Sequence, residues 1–142
     1  MELKKKILLL SFAGLFVLMQ VIPNGRSNPP AKGAIKLPKN VEVIFKKACY
    51  DCHSNETRWP WYSYIAPISW WVIYDVNEGR EELNFSTWKQ LSPKKQKKLI
   101  EECWEEVEKA HMPLKAYIWT HPEAKLTQKE KDIIKAWATT KH

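Results

Sequence analysis

The chain has 142 residues, 44% of them hydrophobic and 27% charged, with a mean hydropathy of -0.48; this suits one folded domain and excludes a polytopic membrane protein or a wholly disordered chain. Three cysteines exclude a dense disulfide framework. The net charge of +7 divides into +3 over residues 1–26 (Lys4, Lys5, Lys6 and Arg26 against Glu2) and +4 beyond, too dilute for a nucleic-acid binder. Eight tryptophans in so short a chain need a large apolar object to pack on, which points toward a bulky cofactor.

At the N-terminus, Lys4, Lys5 and Lys6 precede an uncharged run from Ile7 to Ile22. A basic start followed by an apolar core is the pattern of an export signal, with the lysines held on the cytoplasmic side. As a helix the run spans about 24 Å at ~1.5 Å per residue, short of the ~30 Å hydrocarbon layer. Residues 1–27 therefore read as a signal peptide or a short membrane anchor. Gly25 and Ser27 offer a cleavage pattern that Pro23 and Arg26 disfavour. The expected location is the periplasm, free or tethered to the inner membrane by residues 7–22. Pro23-Asn24-Gly25, Asn28-Pro29-Pro30 and Lys36-Leu37-Pro38 break any periodic structure, so 28–39 reads as a linker and 40–142 as the domain.

Four helices are predicted in that domain. The first starts at Asn40 as cap and carries Val41, Ile44, Phe45, Ala48 and Cys52 on one face, with Val43 off it. A turn-rich stretch through Trp59-Pro60-Trp61 follows. Pro67 suits the first turn of a second helix running to about Glu78, with Gly79 near its end. The third has Ser92 as cap, Pro93 at its first position and Leu99, Ile100, Cys103, Trp104 and Val107 inward, stopping after Ala110 before Pro113. Thr127 and Glu130 form a capping-box pair for the last, with Ile133, Ile134 and Trp137 on its apolar side. No stretch alternates with a period of two. The fold class is all-α.

Cys49-Tyr50-Asp51-Cys52-His53 matches the C-x-x-C-H pattern of c-type haem attachment. Near a helical turn the two cysteines share a side, so their sulfurs can bond the two vinyl positions at one porphyrin edge, and His53 can reach the iron. A redox disulfide leaves the adjacent histidine unexplained. A zinc site would add two of His53, His111, His121 and Cys103 to the cysteines, but that second pair lacks close ligand spacing. For the sixth position the candidates are His111, Met112 and His121, with His142 set aside as a tail residue. Met112 is preferred because Pro113 fixes its backbone and a thioether favours ferrous iron. His121 is expected to begin the last loop, its ring bonded to backbone.

Haem propionates need cationic or N–H partners. Arg80 is the candidate, helped by the indole N–H groups of Trp61 and Trp70; its plainer role is a surface pair with Asp75 or Glu82. Trp59, Trp61, Trp70, Trp71 and Trp88 suit a wall along the porphyrin or ordinary core, and Trp104 and Trp137 suit interhelical packing. Cys103 reads as a buried free thiol. Lys94, Lys95, Lys97 and Lys98 form a basic start to the third helix, a solvated face or a patch that steers an acidic redox partner.

Over residues 40–138 the chain resembles the haem-binding domain family of exported bacterial proteins, which are cytochrome c-like and hold one haem. The likeness rests on Cys49, Cys52 and His53, then Ser54, Thr57, Pro60, Trp61, Tyr62, Ala66, Pro67 and Trp70. It continues through Asp75, Gly79, Arg80, Asn84, Phe85, Ser86 and Trp88 to Met112, Pro113, Tyr117, His121, Pro122, Ala124 and Leu126. The resemblance implies one haem c bonded to the two cysteines, with His53 as proximal and Met112 as distal ligand. The expected function is electron transfer without enzymatic activity, between redox partner proteins. The alternatives are a gas or redox sensor with a labile Met112 and a peroxidase, for which no distal histidine–arginine pair stands in the sequence.

Overall fold

The computed structural model describes residues 2–23 and 25–140; Asn24 of the Pro-Asn-Gly break and the tail residue His142 lie outside the described residues. Seven α-helices run in the order α1 (Glu2–Gln20), α2 (Lys39–Ala48), α3 (Tyr50–His53), α4 (Ile68–Glu82), α5 (Pro93–Glu108), α6 (Lys115–Thr120) and α7 (Gln128–Thr139). Short 3-10 segments cover Trp61–Tyr64, Phe85–Gln90, which is kinked at Thr87, and Pro122–Ala124. No strand occurs among the described residues, so the all-α class holds.

The core forms where helix faces match. Val41, Ile44, Phe45 and Ala48 of α2 bury the stripe that their spacing defines, while Val43 stays exposed. They meet Leu99, Ile100 and Val107 of α5 and Ile134 and Trp137 of α7. Phe45 is the hub, 5.1 Å from the ring of Phe85 and edge-on to Trp137 at 5.2 Å. Trp104 stands beside it, with the Lys135 ammonium 5.3 Å from its ring. Ser92 accepts from Lys95 N–H at the start of α5, and α7 opens with the Thr127–Glu130 capping box.

Several boundaries differ from the sequence expectation. The α2 helix starts at Lys39 with Pro38 as cap and no side-chain capping bond, so Asn40 lies inside its first turn. Proline pre-sets the extended entry, which leaves no capping work for asparagine. Cys52 is not on α2. Cys49 breaks the helix with φ of -128°, and the motif continues as the separate α3. The α4 helix continues past Gly79 to Glu82, and α5 ends at Glu108, before Ala110 turns left-handed at φ 57°.

The segment 28–39 lies pinned along the domain. Asn28 Nδ2 donates to Thr57 O, Asn55 Nδ2 to Pro30 O, Ile35 N–H to Phe85 O and Lys89 N–H to Gly33 O. Ile35 and Leu37 pack on the core. An irregular segment must still satisfy its backbone, and here the loops around α3 and Phe85 do so. Helix α1 buries none of its residues, and among the described residues no helix is long and apolar enough to cross a membrane.

Candidate functional site

The site begins with the contact between α3 and α4. His53 Nδ1 lies 2.8 Å from Gly79 O and 3.1 Å from Leu83 O. Carbonyl oxygens only accept, so Nδ1 carries the proton and donates it. That fixes the tautomer and leaves the Nε2 lone pair free for a metal. Burial holds the ring below its usual pKa, which keeps it neutral. The approach depends on Gly79: a Cβ there would stand 2.8 Å from Cys52 O and 3.1 Å from Cys52 Cβ. Gly79 does sit near the end of α4, and its missing Cβ is what admits the close contact with α3.

His53 opens on a cavity of about 430 Å³, within the size range of cofactor sites. Its apolar wall is Phe45, Ala48, Leu83, Phe85, Leu99 and Val107; Cys49, Cys103, Met112 and Pro113 complete it, and Glu82, Glu102, Glu105 and Glu106 mark its acidic side. Three of those carboxylates are paired at the surface: Glu102 with Lys98 at 2.8 Å, Glu105 with Lys109 at 3.0 Å and Glu106 with His111 at 3.1 Å. Phe85 is held by a polar frame: Asn84 caps its turn by accepting from Ser86 N–H, and Ser86 Oγ accepts from Asn55 N–H at 2.9 Å. The Asn-Phe-Ser run thus positions an aromatic wall. Phe45 and Phe85 carry no sequence mark of lining a cavity, since both belong equally to the core.

The expected site residues divide. Cys49, His53 and Met112 line one cavity. Cys52 stands at the α4 contact, outside the lining, and burial together with the Asp75 and Asp51 carboxylates raises its thiol to about 12. Of the other two ligand candidates, His111 pairs with Glu106, and His121 bonds the hydroxyls of Thr120 and Tyr62 and stacks on Tyr117 with ring centres 4.3 Å apart. The His121 ring therefore bonds side chains, not backbone. Cys103, read as buried core, is half-buried and lines the cavity as a free thiol.

Arg80, Trp61 and Trp70 stand apart from the cavity. Arg80 donates to Ser54 O (2.8 Å), Ser27 O (2.9 Å), Asn28 Oδ1 (3.0 Å) and Thr57 Oγ1 (2.8 Å), clasping residues 27–28 to the loop after α3. Neither Asp75 nor Glu82 pairs with it in a salt bridge. Trp61 is 74% exposed, and Trp70 is also open to solvent. Trp59, Trp71 and Trp88 do not line the cavity either, and Trp88 is core. No group of three or more His, Cys, Asp or Glu side chains among the described residues is arranged to hold a metal ion.

The donor set fits haem better than zinc: one imidazole of fixed tautomer, one thioether and an apolar wall sized for a cofactor. Residues 14–140 match the family described as the haem-binding domain. No curated protein and no solved structure matches the chain.

Proposed function

The chain belongs to the haem-binding domain family, and on that premise we propose that it is a monohaem c-type cytochrome domain that carries electrons outside the cytoplasm. Haem bound here supplies a one-electron iron couple. Cys49 and Cys52 hold it covalently, the second after its side chain turns from the α4 contact toward the cavity. His53 Nε2 is the proximal ligand and Met112 the distal one. The observation that carries the reading is the His53–Gly79 bond, which presents a neutral, correctly protonated imidazole to the cavity that Met112 also lines.

The chain sets the potential by opposed means. The Met112 sulfur and the dry wall of Phe45, Phe85 and Leu99 favour ferrous iron, while nearby carboxylates favour the more positive ferric state. Lys98 and Lys109 offset part of that acidity through their pairs. With His53 and Met112 both holding the haem, no position would stay open to a substrate, and the domain would act as a carrier without catalysis. Lys98 reaches the cavity side through its pair with Glu102, and with Lys94, Lys95 and Lys97 at the start of α5 it suits an acidic redox partner. Residues 1–27 export the chain and hold it to the inner membrane.

The test is expression of the full chain in a host equipped for cytochrome c maturation. A pyridine haemochrome spectrum with two thioether links, and a mass equal to polypeptide plus one haem, support the proposal. Colourless protein of bare polypeptide mass overturns it.

A further inference from the structure

A group of exposed apolar side chains of the domain lies outside the cavity lining. Between Arg58 and Asp75 the sequence carries no charged side chain. That run holds Trp61, Tyr64, Ile68, Trp71 and Tyr74, all exposed, with Trp71 at 79%. On α4, Ser69, Ile73 and Val76 face inward, so Ile68, Trp71 and Tyr74 form a second apolar side where an amphipathic helix would carry charge. Several large apolar side chains exposed along one short segment mark a contact surface.

What covers it follows from α1. The other uncharged run of the chain, Ile7 to Ile22, meets this one directly: Gln20 Oε1 accepts from Ala66 N–H at 2.9 Å and Gln20 Nε2 donates to Ala66 O at 3.2 Å. Arg26, just beyond, donates to Ser63 O and lies over the Tyr64 ring at 3.9 Å. The start of this run, at Ser63, Tyr64 and Ala66, is thus tied to the C-terminal end of an exposed apolar helix and the residues just after it. Tryptophan and tyrosine are the side chains that settle at the headgroup level of a bilayer. A helix too short for the hydrocarbon layer is accommodated when flanking residues are drawn into the interface.

We propose that Trp61, Tyr64, Ile68, Trp71 and Tyr74 lie in the interface of the bilayer that α1 enters, seating the domain directly on the membrane surface. The inference rests on the anchored reading of α1 and is independent of the haem. Seating fixes the orientation of the domain, with the cavity on a different face.

The test uses the full chain labelled with 5-fluorotryptophan in lipid nanodiscs, with Trp61 and Trp71 resonances assigned by Trp61→Phe and Trp71→Phe. A headgroup-borne paramagnetic lipid should broaden both resonances several-fold, a soluble relaxation agent should leave them sharp, and Trp104 should be untouched by the lipid agent. Broadening by the soluble agent overturns the inference, because the face is then in water. Protection from both agents also overturns it, because a second copy or a partner protein then covers the face. A chain that stays out of the discs removes the anchored reading of α1 together with the inference; a chain held in them with Trp61 and Trp71 in water removes the inference alone.

Discussion

Tyr117 donates its phenolic hydrogen to Asp51 Oδ2 at 2.7 Å, joining the Cys49–His53 motif to the helix that follows Met112. Asp51 is buried, and its oxygens are also bonded by Arg58 through N–H at 3.0 Å, Nε at 3.3 Å and Nη2 at 3.2 Å. Burial and the Asp51 carboxylate together push the Tyr117 hydroxyl far above its usual pKa, so it stays a donor at any physiological pH. One hydrogen bond therefore spans the two segments that carry His53 and Met112.

Tyr117→Phe removes that donor and little else. A hydrogen bond to a charged acceptor contributes about 1.5–3 kcal/mol, and Arg58 still bonds the carboxylate, so a loss near the lower end is expected. Urea unfolding should show a lower midpoint with an unchanged slope. In the reduced, haem-loaded protein the same variant should bind carbon monoxide faster than the parent, because Met112 is held less firmly. Unchanged uptake would leave Tyr117 a stabilising residue only.

The Gly79 contact predicts a sharper effect. In Gly79→Ala the new Cβ meets the Cys52 carbonyl, a backbone atom that cannot swing aside. Overpacking of this kind costs about 1–3 kcal/mol. The helix-propensity gain of about 1 kcal/mol from replacing glycine opposes it, so a neutral result is also informative about how far α3 can shift. The decisive readout is haem loading: the displaced α3 moves His53, and the yield of covalently loaded protein should fall several-fold.

How much of this was legible in the sequence depends on the kind of signal. Val41, Ile44, Phe45 and Ala48, and the Thr127–Glu130 cap, follow from helical period and cap chemistry, which are local. The C-x-x-C-H spacing is equally local, and of its residues Cys49 and His53 do line one cavity. The roles of Gly79, Arg80 and residues 28–39 depend on what lies across the fold, and the residues themselves carry no mark of it. Arg80 reads equally as a propionate partner or a clasp until Ser27 and Asn28 are beside it. The α6 helix, one short turn-and-a-half between Pro113 and Pro122, has too few residues for a period to show.

Met112→Ala should abolish the weak far-red band of iron–sulfur ligation in the ferric protein, while His111→Ala and His121→Ala should keep it. Only Met112 of the three lines the cavity; the two histidines spend their rings on Glu106 and on Thr120 and Tyr62. A band that survives in Met112→Ala assigns the distal position elsewhere.

Thiol chemistry separates loaded from unloaded protein. Burial raises Cys52 and Cys103 to about 12, so at pH 8 their thiolate fractions are about 1000-fold below that of a free cysteine with pKa near 9. Higher intrinsic nucleophilicity offsets part of this, leaving alkylation by iodoacetamide about 30- to 100-fold slow in the folded protein. In the haem-loaded protein, denaturation should release one reactive thiol, Cys103. Three released thiols would mean that no thioether had formed.

The pH response of the unloaded protein isolates His53. Its folded-state pKa lies below the ordinary imidazole value, chiefly through burial, with the Leu83 and Gly79 carbonyls acting in the opposite direction. The unfolded chain therefore binds the proton first as pH falls, and by linkage the stabilisation present above about pH 6.5 is lost progressively through the lower folded-state pKa. Urea midpoints measured from pH 7.5 to 5 should decline, and His53→Gln should flatten the slope in that window even where it lowers stability at pH 7.5. If haem iron takes Nε2 in place of the proton, as proposed, this part of the slope should weaken at the same ionic strength. A loaded protein whose slope matches the unloaded one would show that His53 Nε2 is still free to titrate, and the axial assignment would fail with it.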